Sequence, residues 1–261
     1  MKVLFIGDIV GKPGRDSVRQ RLDRLRMAHE IDFVIANGEN AAGGLGITEA
    51  VAGELFASGI QAMTLGNHVW RKKEFVQAID GLDRVIRPAN YPPGAPGVGA
   101  TLIEWGGQPL VGVVNLLGRV FMEPLDCPFA AGHREVSRLR EQTPVIIVDM
   151  HAEATSEKIA MGAHLDGLCS AVIGTHTHVQ TADERILPRG TAYITDVGMT
   201  GPLDSVIGTE TERALRKFTT GMPSEFRVAK GPAIFNAVII DINEGTGRAR
   251  DITRIALADK A

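Results

Sequence analysis

The chain has 261 residues, of which 44% are apolar and 23% charged, with a formal net charge of −3. That length buries a substantial core without staples, and the absence of a basic excess argues against a dedicated nucleic-acid binder. Two cysteines are too few for a disulfide scaffold, and no run reaches the ~20 apolar residues of a membrane span.

The opening MKVLFIGDIVGKPG is no signal peptide, because Asp8 and Gly11 interrupt its apolar run. A soluble, cytoplasmic protein with no membrane partner is expected. KVLFIG (2–7) reads as a strand, and DSVRQRLDRLRMAHE (16–30) as a helix with Val18, Leu22 and Leu25 on one face. The turn between them is Gly-rich and carries Lys12. It is not a P-loop, since Gly7 and Gly11 are too close and Pro13 follows Lys12. Lys12 is kept as a phosphate contact. DFVIANG (32–38) is the next strand, and Thr48 caps a helix that stops at Gly59. AMTLG (62–66) follows, and the Pro/Gly-rich RPANYPPGAPGVGA (87–100) reads as a surface loop. LVGVVNL (110–116), PVIIVDM (144–150), SAVIG (170–174), AYITD (192–196) and NAVIIDI (236–242) complete the strands.

Several strands are apolar on both faces, as in the middle of a covered sheet. Alternation with helices predicts an α/β fold in a single domain over 1–261. From about residue 185 strand patterns outnumber helical ones. A second or mixed sheet is expected to build up there.

Polar side chains recur where these strands end: Asp8, then Glu39 and Asn40, then Asn67 and His68, then His151, then His176 and His178. Singly, each is an ordinary turn or cap residue. As a set, they lie where open α/β sheets gather ligands, beyond the carboxyl ends of strands. Parallel strands lying side by side would let them converge. Oxygen and imidazole donors without a thiolate suit Mn, Fe or Zn, and so many donors suit two ions sharing a carboxylate. Two divalent ions against Asp8 and Glu39 leave an excess of positive charge, which favours an anionic substrate. The remaining histidines, His29, His133 and His164, read as solvated. Cys127 and Cys169 read as buried small apolar residues. Asp149 is placed to orient an imidazole, Thr175 and Thr177 read as loop fillers, and GRVFM (118–122) and GMTGP (198–202) as pocket lining.

In order, GD (7–8), GEN (38–40), GNH (66–68), DMH (149–151) and GTHTH (174–178) resemble the calcineurin-like metallophosphoesterases. The chain departs from the common pattern at Val10, where many members have His, and at Glu39, where many have Asp. With NGENAAGGLGIT, HAEATSEKIAMG and TDVGMTGPLDSVIG, these departures resemble one bacterial branch, the YmdB-like 2′,3′-cyclic-nucleotide 2′-phosphodiesterases, over essentially the whole chain. The resemblance implies a sandwich of two mixed β-sheets flanked by helices. It implies two metal ions, iron or manganese, one on Asp8, Glu39, Asn40 and His178, the other on Glu39, Asn67, His151 and His176. It makes His68 the proton donor in attack by a metal-bridging hydroxide on a small phosphodiester or cyclic nucleotide. RNA ends as substrate and a homo-oligomeric state are compatible with it. Two alternatives share these residues: a phosphomonoesterase or nucleotidase, and a nucleotide-sensing protein with vestigial hydrolysis.

Overall fold

The structure is a computed structural model that describes residues 1–104, 106–107 and 110–259. Strand β1 (Lys2–Ile6) and the short β2 (Asp8–Ile9) lead into helix α1 (Gly11–His29). The helix starts ahead of the DSVRQ pattern because GKPG forms its first turn and does not precede it. Gly14 permits this: a Cβ there would lie 2.3 Å from the Thr200 carbonyl oxygen. β3 (Phe33–Asn37) is followed by α2 (Glu49–Ala57), whose Thr48 cap accepts from Val51 N as expected. β4 (Ala62–Thr64), α3 (Lys73–Ala78) and β5 (Val85–Ile86) come next. Then follow β6 (Ala100–Ile103), β7 (Val111–Leu117), α4 (Pro128–Arg140), β8 (Ile146–His151), α5 (Thr155–Leu165) and β9 (Ala171–Thr175). The chain ends with β10 (Arg185–Ile186), β11 (Ala192–Ile194), β12 (Met199–Pro202), α6 (Thr211–Thr220), β13 (Ala233–Ile242) and β14 (Ala249–Ala258).

Two mixed sheets result. The first runs β2-β12-β13-β1-β3-β4-β5, with β14 on β13. The second runs β10-β11-β9-β8-β7-β6. Their parallel centres are β1-β3-β4-β5 in one and β7-β8-β9-β11 in the other. Val3, Phe5, Phe33 and Ile35 of the first sheet share one core with Val111, Val113, Ile147 and Ile173 of the second. The alternate residues point outward. Leu4, Ile6, Val34 and Ala36 pack with Val18 and Leu22 of α1, while Val114, Val148 and Val172 pack with Val136 of α4 and Met161 of α5. A strand with helices on one face and a second sheet on the other has no polar side, hence the continuous apolar runs.

The arrangement corrects one expectation. The second sheet starts at Ala100, not near residue 185, and β12, β13 and β14 return to the first sheet. β13 pairs antiparallel with β1, Leu4 opposite Ile239. Strand patterning shows that a segment is extended but does not name its neighbour.

Candidate functional site

The polar strand ends converge, but from two facing sheets, not from one row of parallel strands. Asp8, Glu39, Asn40, Asn67 and His68 follow β1, β3 and β4 in the first sheet; His151 ends β8, and His176 and His178 follow β9 in the second. The edge where the sheets meet brings all eight side chains into one connected cluster. Glu39 is at its middle and fully buried. Its Oε1 lies 3.2 Å from Asn40 Nδ2, 3.2 Å from His68 Nδ1 and 3.2 Å from His151 Nε2. Its Oε2 accepts from His68 N at 3.0 Å. His151 Nε2 is 3.1 Å from Asn67 Oδ1 and 3.0 Å from His176 Nδ1. On the other side, Asn40 Nδ2 is 3.3 Å from His178 Nε2, which is 3.8 Å from Asp8 Oδ1. Asp8 Oδ2 accepts from His176 N at 3.2 Å. Gly66 makes the middle accessible, since a Cβ there would sit 2.3 Å from both Glu39 Oε2 and His151 Nε2.

The histidine pair depends on an unusual turn. His176 has φ 98° and His178 φ 68°, both in the left-handed region that non-glycine residues seldom adopt. The turn redirects two side chains that an extended segment would send the same way.

The electrostatics of the cluster draw positive charge inward. Burial works against a charged His151, yet the carboxylates of Glu39, Asp8 and Asp149 hold its pKa up at about 9. Burial likewise opposes ionisation of Glu39, but His151 and His68 keep it well below the usual carboxylate range. His176, desolvated and beside His151, is pushed down to about 3 and keeps a free lone pair. Burial raises Asp8, against the pull of His178 and His151. Its Oδ1 is buried with no hydrogen-bond donor among the described residues. A buried carboxylate oxygen without a donor is costly unless a cation satisfies it. Glu39, His151 and His176 place ligand atoms within 4.8 Å of one another. The donor set therefore fits divalent cations.

A supporting network lies behind the cluster, and much of it has no local signature in the sequence. Asp149 does not touch His151 directly. Its Oδ1 accepts from Thr175 Oγ1 at 2.7 Å, and Thr175 Oγ1 meets His151 Nδ1 at 2.8 Å. Thr175 is thus a link to the imidazole and no loop filler. Thr177 is no filler either, as its N and Oγ1 both donate to Asp196 Oδ2. Asn37 donates to Asp149 Oδ2 at 3.1 Å and accepts from Glu39 N at 3.1 Å. Glu153 Oε2 lies 3.2 Å from His176 Nε2. Asn37 was detectable as a polar residue inside an apolar strand; Glu153 had no signal beyond its nearness to His151.

Other expectations are corrected. Lys12 is exposed, pairs with Asp16 on its own helix, and is in the lining of neither groove at the cluster. GMTGP is in the lining of neither groove at the cluster: β12 pairs with β2, and Asp8 N donates to the Gly198 carbonyl. Cys127 is only partly buried, at the start of α4, whereas Cys169 is buried. His29, His133 and His164 are exposed, as expected. No helix among the described residues is long and apolar enough to cross a membrane.

Two grooves reach the cluster. One of about 380 Å³ is lined by Glu39, Asn40, His68, His178, Ile207 and Phe226, among others. The other, about 340 Å³, is lined by Asn67, Phe121, Met122, Glu123 and His176, so that part of GRVFM does border the site. A cavity of about 810 Å³ beside α4 contains none of the eight side chains.

A sequence profile described as YmdB-like protein matches residues 4–255. The chain belongs to the YmdB-like family. It is 50% identical over 259 residues to the 2′,3′-cyclic-nucleotide 2′-phosphodiesterase of Bacillus subtilis strain 168, covering 99% of this chain and 98% of that one. It is 36% identical to a putative phosphatase/phosphodiesterase of Mycoplasma pneumoniae, covering 94% of this chain and 89% of that one. The fold matches the crystal structure of a hypothetical protein from Thermus thermophilus at a TM-score of 0.92 and 45% identity, over 100% of both chains. It matches a novel phosphatase from Mycoplasma pneumoniae at a TM-score of 0.92 and 34% identity, over 99% of this chain and 93% of that one.

Proposed function

We propose that this chain is a two-metal phosphodiesterase that opens 2′,3′-cyclic nucleotides at the 2′ oxygen. The observation that carries this reading is the convergence of eight polar side chains with Glu39 at their middle, where Asp8 Oδ1 has no hydrogen-bond donor among the described residues. The Bacillus subtilis relative's activity at 50% identity supports the choice of substrate.

On this reading Asp8, Glu39, Asn40 and His178 hold one ion, and Glu39, Asn67, His151 and His176 the other, with Glu39 shared. Iron and manganese suit this mixture of carboxylate, amide and imidazole donors. Such ions supply charge neutralisation for the phosphodiester and a nucleophile from water at neutral pH. The rest is the work of the side chains. Asn67 Oδ1 already faces His151 Nε2, as a ligand oxygen should. Asn40 points Nδ2 at His178 and Oδ1 at His68 Nδ1, 2.7 Å away. That Oδ1 keeps a second lone pair, beyond its contact with His68, that would be available to an ion. Asn40 Oδ1 and Glu39 Oε1 both accept from His68 Nδ1–H, which leaves Nε2 as the nitrogen that would serve the departing 2′ oxygen, a poor leaving group that needs an acid.

The test is metal analysis of anaerobically purified protein together with a phosphoester panel. Two equivalents of metal and conversion of 2′,3′-cyclic AMP to 3′-AMP are expected. Turnover of 5′-AMP in preference to the cyclic substrate would move the assignment to a phosphomonoesterase. Tight nucleotide binding with no product would make it a sensor.

A further inference from the structure

The segment from Gly118 to Met122 leaves β7 next to the cluster. Gly118 N donates to the His151 carbonyl at 2.9 Å. The next two residues are fastened from beneath by Glu157 of α5. This buried carboxylate accepts from Arg119 N at 3.1 Å through each oxygen and from Val120 N at 3.3 Å. Immediately beyond the anchor, Phe121 has φ 62° and is 91% exposed. A bulky residue in the left-handed region is uncommon, and it persists where the surroundings fix it, most often at functional sites. Here the fixed conformation holds an aromatic ring in solvent instead of burying it. Phe121 lines the same groove as Asn67 and His176.

We propose that Phe121 is the platform on which the substrate's nucleobase stacks, so that it sets the preference for base-bearing over baseless phosphodiesters. This inference rests on the nucleotide reading above. Every base offers a π-face, and exposed aromatic side chains beside a phosphate site are the usual partners of such faces. Among the described residues lining the two grooves, the other phenylalanine is Phe226, in the groove with His178. It is partly buried, and its ring packs so closely on Gly44 that a Cβ there would lie 2.3 Å from it. Ile207, exposed in that groove, has no π-face. Of the phenylalanines lining the two grooves, Phe121 is the one that packing leaves uncovered.

The test compares kcat/KM for 2′,3′-cyclic AMP and for baseless ribose 2,3-cyclic phosphate in metal-loaded wild type, F121A, F121G and F121Y. The ratio of the two should fall about 5- to 140-fold in F121A and F121G, the equivalent of ~1–3 kcal/mol per stacked base. The change should appear in KM, and F121Y should hold the wild-type ratio. F121G relieves the left-handed strain, so its loss of preference at an undiminished melting temperature separates stacking from misfolding. A ratio unchanged in F121A and F121G, or both substrates declining in parallel, would overturn the proposal. If wild type hydrolyses neither cyclic phosphate, the phosphodiesterase reading fails by itself. Phe121 is then judged by calorimetric binding of 3′-AMP against ribose 3-phosphate. A preference for 3′-AMP that vanishes in F121A upholds it, and equal preference in both proteins ends it.

Discussion

Lys158 Nζ lies 2.7 Å from Asp196 Oδ2, and both side chains are almost wholly buried. The same oxygen accepts from Thr177 N at 3.0 Å and Thr177 Oγ1 at 2.7 Å, while Asp196 Oδ1 accepts from Gly198 N at 2.8 Å. Thr177 is the residue between His176 and His178. The ion pair therefore pins the left-handed turn that separates the two imidazoles, from a helix and a strand end that contribute no ligand of their own.

Lys158→Met keeps the stem volume and leaves Asp196 buried without its cation. Removing one partner of such a pair costs ~3–5 kcal/mol. Metal affinity should fall about 10- to 100-fold as the turn loosens, the range seen when groups behind metal ligands are removed. Denaturant midpoints and metal titration measure the two effects. The double variant Lys158→Met/Asp196→Asn should recover part of the stability, because no unpaired charge remains. Metal affinity unchanged in both variants would show that the turn holds without this pair.

His68 and His176 should fail in different ways. His68 touches Glu39 and Asn40 but belongs to neither proposed ligand set, so His68→Ala should keep its metal and lose ~10²–10⁴-fold in kcat, the usual weight of an acid. His176→Ala should lose metal occupancy along with activity. Elemental analysis beside kinetics distinguishes them. A His176→Ala protein that still holds two equivalents, or a His68→Ala protein with normal turnover of a poor-leaving-group ester, contradicts the corresponding role.

How far the sequence revealed this arrangement follows from what local pattern encodes. Asp8, Glu39, Asn67, His151 and His176 could be located because each directly follows an apolar run, and a strand end is a local property. That these runs belong to two facing sheets could not be read, since β8 and β9 look no different from β1 and β3 in burial pattern. Thr175 reads as a loop filler because threonine is common in turns; its role depends on Asp149, a contact made across β8 and β9. Lys158 sits in a helix pattern in which a lysine ordinarily faces water. Segments that come later in the chain bury it, β9 at Gly174 against its stem and Asp196 against its ammonium.

The two cysteines should differ in reactivity. Burial pushes the Cys169 thiol up to about 12, and its Sγ donates to the Leu165 carbonyl. Thiolate is the reacting form, so Cys169 should resist modification in the folded protein. Cys127 is partly exposed. A thiol-reactive dye should label one fast site in native protein and two after unfolding, and Cys127→Ser should abolish the fast phase. Two equal fast phases in native wild type would refute the burial argument.

Strand β14 leads into a pH dependence remote from the cluster around Glu39. Asp259 follows β14, pairs with Arg21 of α1, and accepts from Ala233 N at 2.7 Å at the start of β13. The Arg21 hydrogen bond and the Ala233 amide hold its carboxyl below the usual range. In the window between that depressed value and the ordinary value of 3.8, the unfolded chain binds the proton and the native chain does not. The stabilisation is therefore complete above the ordinary value and lost as pH falls through the depressed one. Because the carboxyl is about one-third exposed, solvent limits the pair to at most ~1 kcal/mol. Asp259→Asn should lower the urea midpoint slightly at neutral pH and at pH 5 alike. The gap to wild type should close as the solution is acidified below pH 3.8. A gap that persists undiminished in that acid range would mean that the amide hydrogen bond, not the charge, accounts for the difference.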